Sequence, residues 1–136
     1  MDEQFKIKHL EFIQNVITRL STNSFLIKGW CITLITGLIA LSLDKQKVII
    51  LISGIPIIII FWVLDSYYLW LEKIYRLFYT NEVASQQSNL NLDITALKKK
   101  ISFLPILFRF SIFFLYLILI ILTLSAYLFL LTLNSQ

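Results

Sequence analysis

From Val48 to Leu64 the chain runs seventeen residues without a charged side chain, and eight of them are isoleucine. In water that density of β-branched residues favours a strand. In hydrocarbon an open strand leaves its backbone N–H and C=O groups unpaired, so a run of this kind is a helix. Two further runs accompany it: Phe25 to Leu43, whose only charge is Lys28, and Ile101 to Leu133, whose only charge is Arg109. A hydrocarbon core about 30 Å thick takes about 20 helical residues, so each of the first two runs suits one crossing. The third is too long for one upright span. Pro105 offers the place to divide it, into an interfacial segment over 101–108 and a span from about Arg109 to Leu133. A re-entrant segment over 101–108 is the alternative.

Composition agrees with this reading. The chain of 136 residues is 58% hydrophobic and 15% charged, with a mean hydropathy of +0.81. A soluble domain averages about half apolar and a quarter charged, so this chain has too little polar surface to cover a globule. The fold class expected is therefore an all-α membrane protein with about three transmembrane helices, over about 25–43, 48–70 and 109–133.

The charges orient the spans. Four basic residues lie in the N-terminal segment through Lys28, two in the first loop, six in the connection through Arg109 and none in the C-terminal tail. Alternate assignment puts ten on one side and two on the other, which predicts a cytoplasmic N-terminus and an external C-terminus. The twelve Lys and Arg sit between apolar runs, with no basic stripe interleaved with aromatics on a polar scaffold, so the pattern argues against a nucleic-acid partner. The first apolar run begins after some two dozen mixed-charge residues, where a signal peptide would start with a short basic region. It is read as a retained span.

Residues 1–23 read as an amphipathic helix, lying on the membrane surface or packed on a partner helix: Leu10, Ile13, Ile17 and Leu20 recur at helical spacing, joined by Phe12 and Val16. The capping residues Ser21-Thr22-Asn23-Ser24 predict a break or bend before the transmembrane domain, 24–136. Asp44-Lys45-Gln46-Lys47 predicts a tight turn, and Pro56 a kink in the second span. Beyond Asp65 the helical spacing of Leu71, Ile74, Tyr75 and Phe78, with Glu72 and Arg76 set for an i to i+4 pair, carries the second helix into the cytoplasm to about Val83. A polar stretch from Ala84 to Asp93 reads as a loop within the cytoplasmic connection, 71–108. Lys98, Lys99 and Lys100 then fall where basic residues meet anionic headgroups.

Three ionisable residues come to similar depth in the inner leaflet: Lys28, Asp65 and Arg109. A carboxylate there is costly when unpaired, so Asp65 is expected to pair with Lys28 or Arg109. The competing reading has both cations snorkelling to headgroups while Asp65 faces water. In an oligomer the same residues would become rings of charge on a pore axis. Gly29, Thr33 and Gly37, four apart with Ala40 nearby, form a small-residue seam that allows close helix approach, within or between subunits. Trp30, Trp62, Tyr67, Tyr68 and Trp70 read as an aromatic belt. Cys31, the only cysteine, can form no disulfide within the chain. His9 is the only histidine, so no metal site of several His and Cys ligands is expected, and no cofactor. Absence of GxSxG, HExxH and phosphate-loop patterns argues against an enzyme.

The stretches His9 to Leu20, Asn23 to Trp30 and Phe61 to Trp70 resemble a family of small bacterial multi-pass inner-membrane proteins of unassigned function. The likeness spans roughly the first eighty residues and carries no catalytic residue with it. It implies a bacterial inner membrane. Two functions fit these readings. One is a homo-oligomeric pore-forming or membrane-disrupting effector, similar in size and class to those of bacterial anti-phage defence. The other is a non-catalytic structural or adaptor subunit that holds a cytoplasmic protein partner.

Overall fold

A computed structural model describes residues 3–84 and 94–134. Among these the chain is helical, without strands: α1 (Glu3–Lys45), α2 (Val48–Ala84), α3 (Thr95–Lys100), α4 (Leu104–Leu107) and α5 (Phe110–Asn134). Three of them, α1, α2 and α5, are long and apolar enough to cross a membrane. At about 1.5 Å per residue α1 is about 65 Å long and α2 about 56 Å, each well beyond a hydrocarbon core. Both helices must therefore extend outside it.

Of the break or bend expected at 21–24, the break does not occur: α1 passes through those residues without interruption. A cap contributes about 1 kcal/mol to a helix end. Packing on both sides outweighs it here. Ile13 and Ile17 bury against Phe78 of α2, and Cys31 and Ile35 bury with Ile58 of α2 and Ile112, Tyr116 and Leu119 of α5. The helix over 3–24 is thus the continuation of the first span, lying along the far end of α2. Phe5, Ile7 and Phe12 are its apolar side chains left outward, Phe12 at 52% exposure.

The turn after α1 takes the shape its polar residues suggest. Gln46 adopts a left-handed backbone (φ 52°), and the Lys47 amide donates back to the Ser42 carbonyl at 3.3 Å, the six-to-one bond of a Schellman-type cap. Ser42 Oγ donates to the Lys47 carbonyl at 3.0 Å and closes the turn from the other side. Two long antiparallel helices result, and α2 then continues through Pro56 and past Asp65 to Ala84.

α2 is the spine, in contact with each of the other four helices. All three long helices meet at Gly54, where an added Cβ would stand 3.4 Å from Ile35 Cδ1, 3.6 Å from Leu38 Cδ1 and 3.9 Å from Thr123 Cγ2. The segment over 101–109 breaks as Pro105 suggests, into α4 and the start of α5. It is held to α2 by two indoles. Trp62 Nε1 donates to the Leu107 carbonyl at 3.0 Å, and Trp70 Nε1 to the Ile101 carbonyl at 2.9 Å. The second bond meets a specific need, since the helical donor to the Ile101 carbonyl would come from residue 105, a proline without an N–H. Trp30, by contrast, is 63% exposed. The loop read over 84–93 falls, beyond Ala84, outside the described residues.

Gly54 yields a direct test. An alanine there meets ordinary van der Waals distances and improves helix propensity, so Gly54→Ala is expected to leave stability unchanged or raise it by up to about 1 kcal/mol. Gly54→Leu must displace Ile35 and Leu38 and is expected to cost about 1–3 kcal/mol. Thermal unfolding in detergent separates the two variants, and equal midpoints would refute the close three-helix approach.

Candidate functional site: a buried carboxylate and its rim

Asp65 is the centre of the structure's polar chemistry and is wholly shielded from solvent. It sits on α2 between Leu64 and Ser66, at the end of an apolar stretch that gives it no partner of its own. The partners come from the other two long helices. Lys28 Nζ on α1 lies 2.7 Å from Asp65 Oδ1. One turn earlier, Ser24 Oγ donates to the same oxygen and accepts from Lys28 Nζ at 2.8 Å. On α5 the Tyr116 hydroxyl shares its single proton between Asp65 Oδ2 at 3.3 Å and the Phe61 carbonyl at 3.2 Å. Ser66, also fully buried, turns back to the Trp62 carbonyl at 2.8 Å and leaves the carboxylate alone.

The arrangement satisfies each oxygen of the carboxylate. Oδ1 receives a charge-assisted bond and a hydroxyl, which are the stronger contacts. Oδ2 receives a shared phenol. An Asp at mid-helix costs roughly 2.5–3.5 kcal/mol to insert even on the mildest membrane scale. Here that cost is offset by donors from α1 and α5, so the carboxylate ties three helices together at one level.

Of the three charges expected to meet, two do. Lys28 and Asp65 pair, while Arg109 stays exposed at the N-terminal end of α5 and does not reach the carboxylate. It lines a cleft with Lys28, Ser24 and Glu72 instead. The reading in which Asp65 faces water is corrected by its complete burial. Ser24 and Tyr116 are the members that sequence reasoning missed. Ser24 stands in a run that looks like a helix cap, and its relation to Lys28, one turn away on the same face, is the signal that was available.

The small-residue seam lies elsewhere on α1. Gly29, Thr33 and Gly37 are exposed, and nothing stands within 4 Å of a Cβ built on either glycine. The Thr33 hydroxyl bonds back to the Gly29 carbonyl at 2.9 Å, within its own helix. This face plays no part in packing the subunit. Lys98, Lys99 and Lys100 are exposed along α3. Among the described residues, no group of three His, Cys, Asp or Glu side chains converges as a metal site would require.

The ion pair is open to a double-mutant cycle. Lys28→Met alone leaves a buried carboxylate without its cation and is expected to destabilise more than the double variant Lys28→Met/Asp65→Asn, with a coupling of about 0.5–3 kcal/mol. Unfolding in mixed detergent micelles reads it. Additive effects, or an Asp65→Asn variant as stable as the parent with Lys28 present, would remove the pair from any structural role.

No protein-family model, no curated protein and no solved structure matches this chain. Its function has to be read from its own residues.

Proposed function

We propose that the protein is a homo-oligomer of a bacterial inner membrane that acts on the bilayer itself, as a pore-forming or membrane-disrupting effector of the kind found in anti-phage defence. The observation that carries this reading is the direction of the Gly29, Thr33 and Gly37 face. It points away from the subunit, with open space over both glycines, and small residues on a membrane helix serve to let another helix come close. Three spanning helices leave no conduit among themselves, so a pore requires several copies. Because Asp65 is closed inside its own subunit, a ring of charge in such an assembly would draw on the exposed Arg109 and on Lys28.

A second reading is favoured by the extensions of α1 and α2. Residues 3–24 of α1 run about 33 Å and pack on the end of α2 through Ile13, Ile17 and Phe78, with α3 joining through Leu97. On the topology in which the N-terminus is cytoplasmic, these elements form a stalk on that side, with Phe12 and Ile7 about half exposed. A stalk of this kind suits a structural or adaptor subunit that holds a cytoplasmic protein.

The two readings separate in two measurements. Under the first, native mass of the solubilised protein shows a defined oligomer, reconstituted protein passes ions, and Gly29→Leu/Gly37→Leu yields a monomer with an unchanged unfolding midpoint and no conductance. Under the second, the bilayer stays electrically silent and a second protein co-purifies. A monomeric parent protein would end the pore reading.

A further inference from the structure

Two adjoining clefts open beside α2 at the start of α5, one toward α4 and the other toward α1, sharing Leu69, Glu72 and Arg109. The larger, about 510 Å³, adds Lys73 and Arg76 of α2 and the Pro105 and Ile106 wall of α4. The smaller, about 330 Å³, reaches Lys28 and Ser111. Both volumes fall in the range of roughly 300–1,000 Å³ that small-molecule sites occupy.

Their level can be counted along α2. Leu69 lies 21 residues after Val48, or about 32 Å, so Leu69 to Arg76 falls just beyond a hydrocarbon core of about 30 Å. That is headgroup level. Arg109 comes to the same place from α5, standing at the head of a 25-residue helix, where first-turn amides and the helix dipole add positive potential. Exposed Phe110 and Phe108 flank it, the apolar side chains expected where acyl chains begin.

The charge is lopsided and one polar atom is orphaned. Lys73, Arg76 and Arg109 face the larger cleft against a single carboxylate, Glu72. Glu72 is nine-tenths buried. Its Oε1 already accepts from Arg76, at 2.8 Å from Nε and 2.7 Å from Nη2, while its Oε2 is buried with no hydrogen-bond partner among the described residues. A buried carboxylate oxygen left unpaired is costly, so a small rotation of Glu72, which lines the cleft, toward a donor held there is favoured. The site therefore asks for two things at once: an anion for the three cations and a hydrogen-bond donor for Glu72 Oε2.

We propose that this cleft binds a phospholipid headgroup that carries a hydrogen-bond donor, with its phosphate among Lys73, Arg76 and Arg109 and its terminal ammonium or hydroxyl group at Glu72. Basic clefts between membrane helices at the headgroup level are the general setting for such recognition. The proposal rests on the membrane placement of α2, α4 and α5 and holds whether the protein is a pore or an adaptor.

The full-length protein in detergent, titrated with short-chain phospholipids and read by native mass spectrometry, tests it. Phosphatidylethanolamine and phosphatidylglycerol, which carry donors, are expected to be retained at least fivefold over phosphatidylcholine, whose quaternary ammonium has none. Millimolar inorganic phosphate is expected not to displace them. Arg109→Gln/Arg76→Gln should abolish retention of all three lipids, and Glu72→Ala should erase the preference over phosphatidylcholine while leaving phosphate-dependent binding. Equal retention of the three lipids by the parent protein overturns the proposal without recourse to any variant. Displacement by inorganic phosphate overturns it in favour of a soluble anion.

Discussion

A carboxylate enclosed by apolar helices cannot be left to chance, and the placement of Asp65 governs the geometry of this molecule. The insertion cost of an aspartate is recovered only if donors approach it at bonding distance. Those donors are on different helices: Ser24 and Lys28 on α1 and Tyr116 on α5. Apolar packing among isoleucines and leucines is tolerant of sliding, because one methyl-rich ridge accepts many others. A hydrogen bond is not. The polar centre therefore fixes the depth and rotation at which α1 and α5 sit on α2, while Cys31, Ile35, Ile58 and Ile112 fill the space that this register defines.

The same logic continues at the rim. Between α3 and α5 the backbone has to change direction twice, and each change frees carbonyls that lipid cannot satisfy. Trp62 and Trp70, eight residues apart on one face of α2, reach the carbonyls of Leu107 and Ile101. This pins α4 beside α2 and sets Arg109 above Glu72 and Lys73. The cleft is a consequence of those two indoles, and its position one to three turns beyond Asp65 puts a basic mouth over the buried ion pair. Through Lys28, the smaller cleft borders the polar centre itself.

Much of this was legible in the residues. The three apolar runs, the polar turn at 44–47 and the division near Pro105 follow from hydropathy, turn chemistry and length. Counting depth along the spans brought Lys28 and Arg109 to the level of Asp65 but left open which of them pairs with it. Depth, however, says nothing of azimuth. Each residue turns about 100° around a helix, and Arg109, expected at the depth of Lys28, stands exposed at the N-terminal end of α5, where it lines the cleft with Leu69 and Glu72 instead. Tyr116 was invisible for the same reason: two phenols, Tyr116 and Tyr127, stand in the long apolar run, and neither gives a sign of which neighbour it meets. Ser24 was misread because a run of Ser, Thr and Asn usually caps a helix, and local propensity of about 1 kcal/mol is overruled when packing continues on both sides. The two tryptophans look like belt residues in sequence, and only the backbone path around Pro105 shows that their N–H groups are engaged.

α1 divides its surface in a way that bears on assembly. One stripe, carrying Ser24, Lys28, Cys31 and Ile35, builds the subunit. Another, carrying Gly29, Thr33 and Gly37, is exposed, with nothing among the described residues within 4 Å of a Cβ built on either glycine. The two stripes do not compete, so a second copy could approach the glycine face without disturbing Asp65 or repacking the core. In lipid no hydrophobic force drives such an approach, and close backbone contact with van der Waals packing has to supply it. Under the proposed assembly, a helix whose folding face and free face are separate would let the subunit reach its full internal stability as a monomer and associate afterwards, with Lys28 and Asp65 already paired inside.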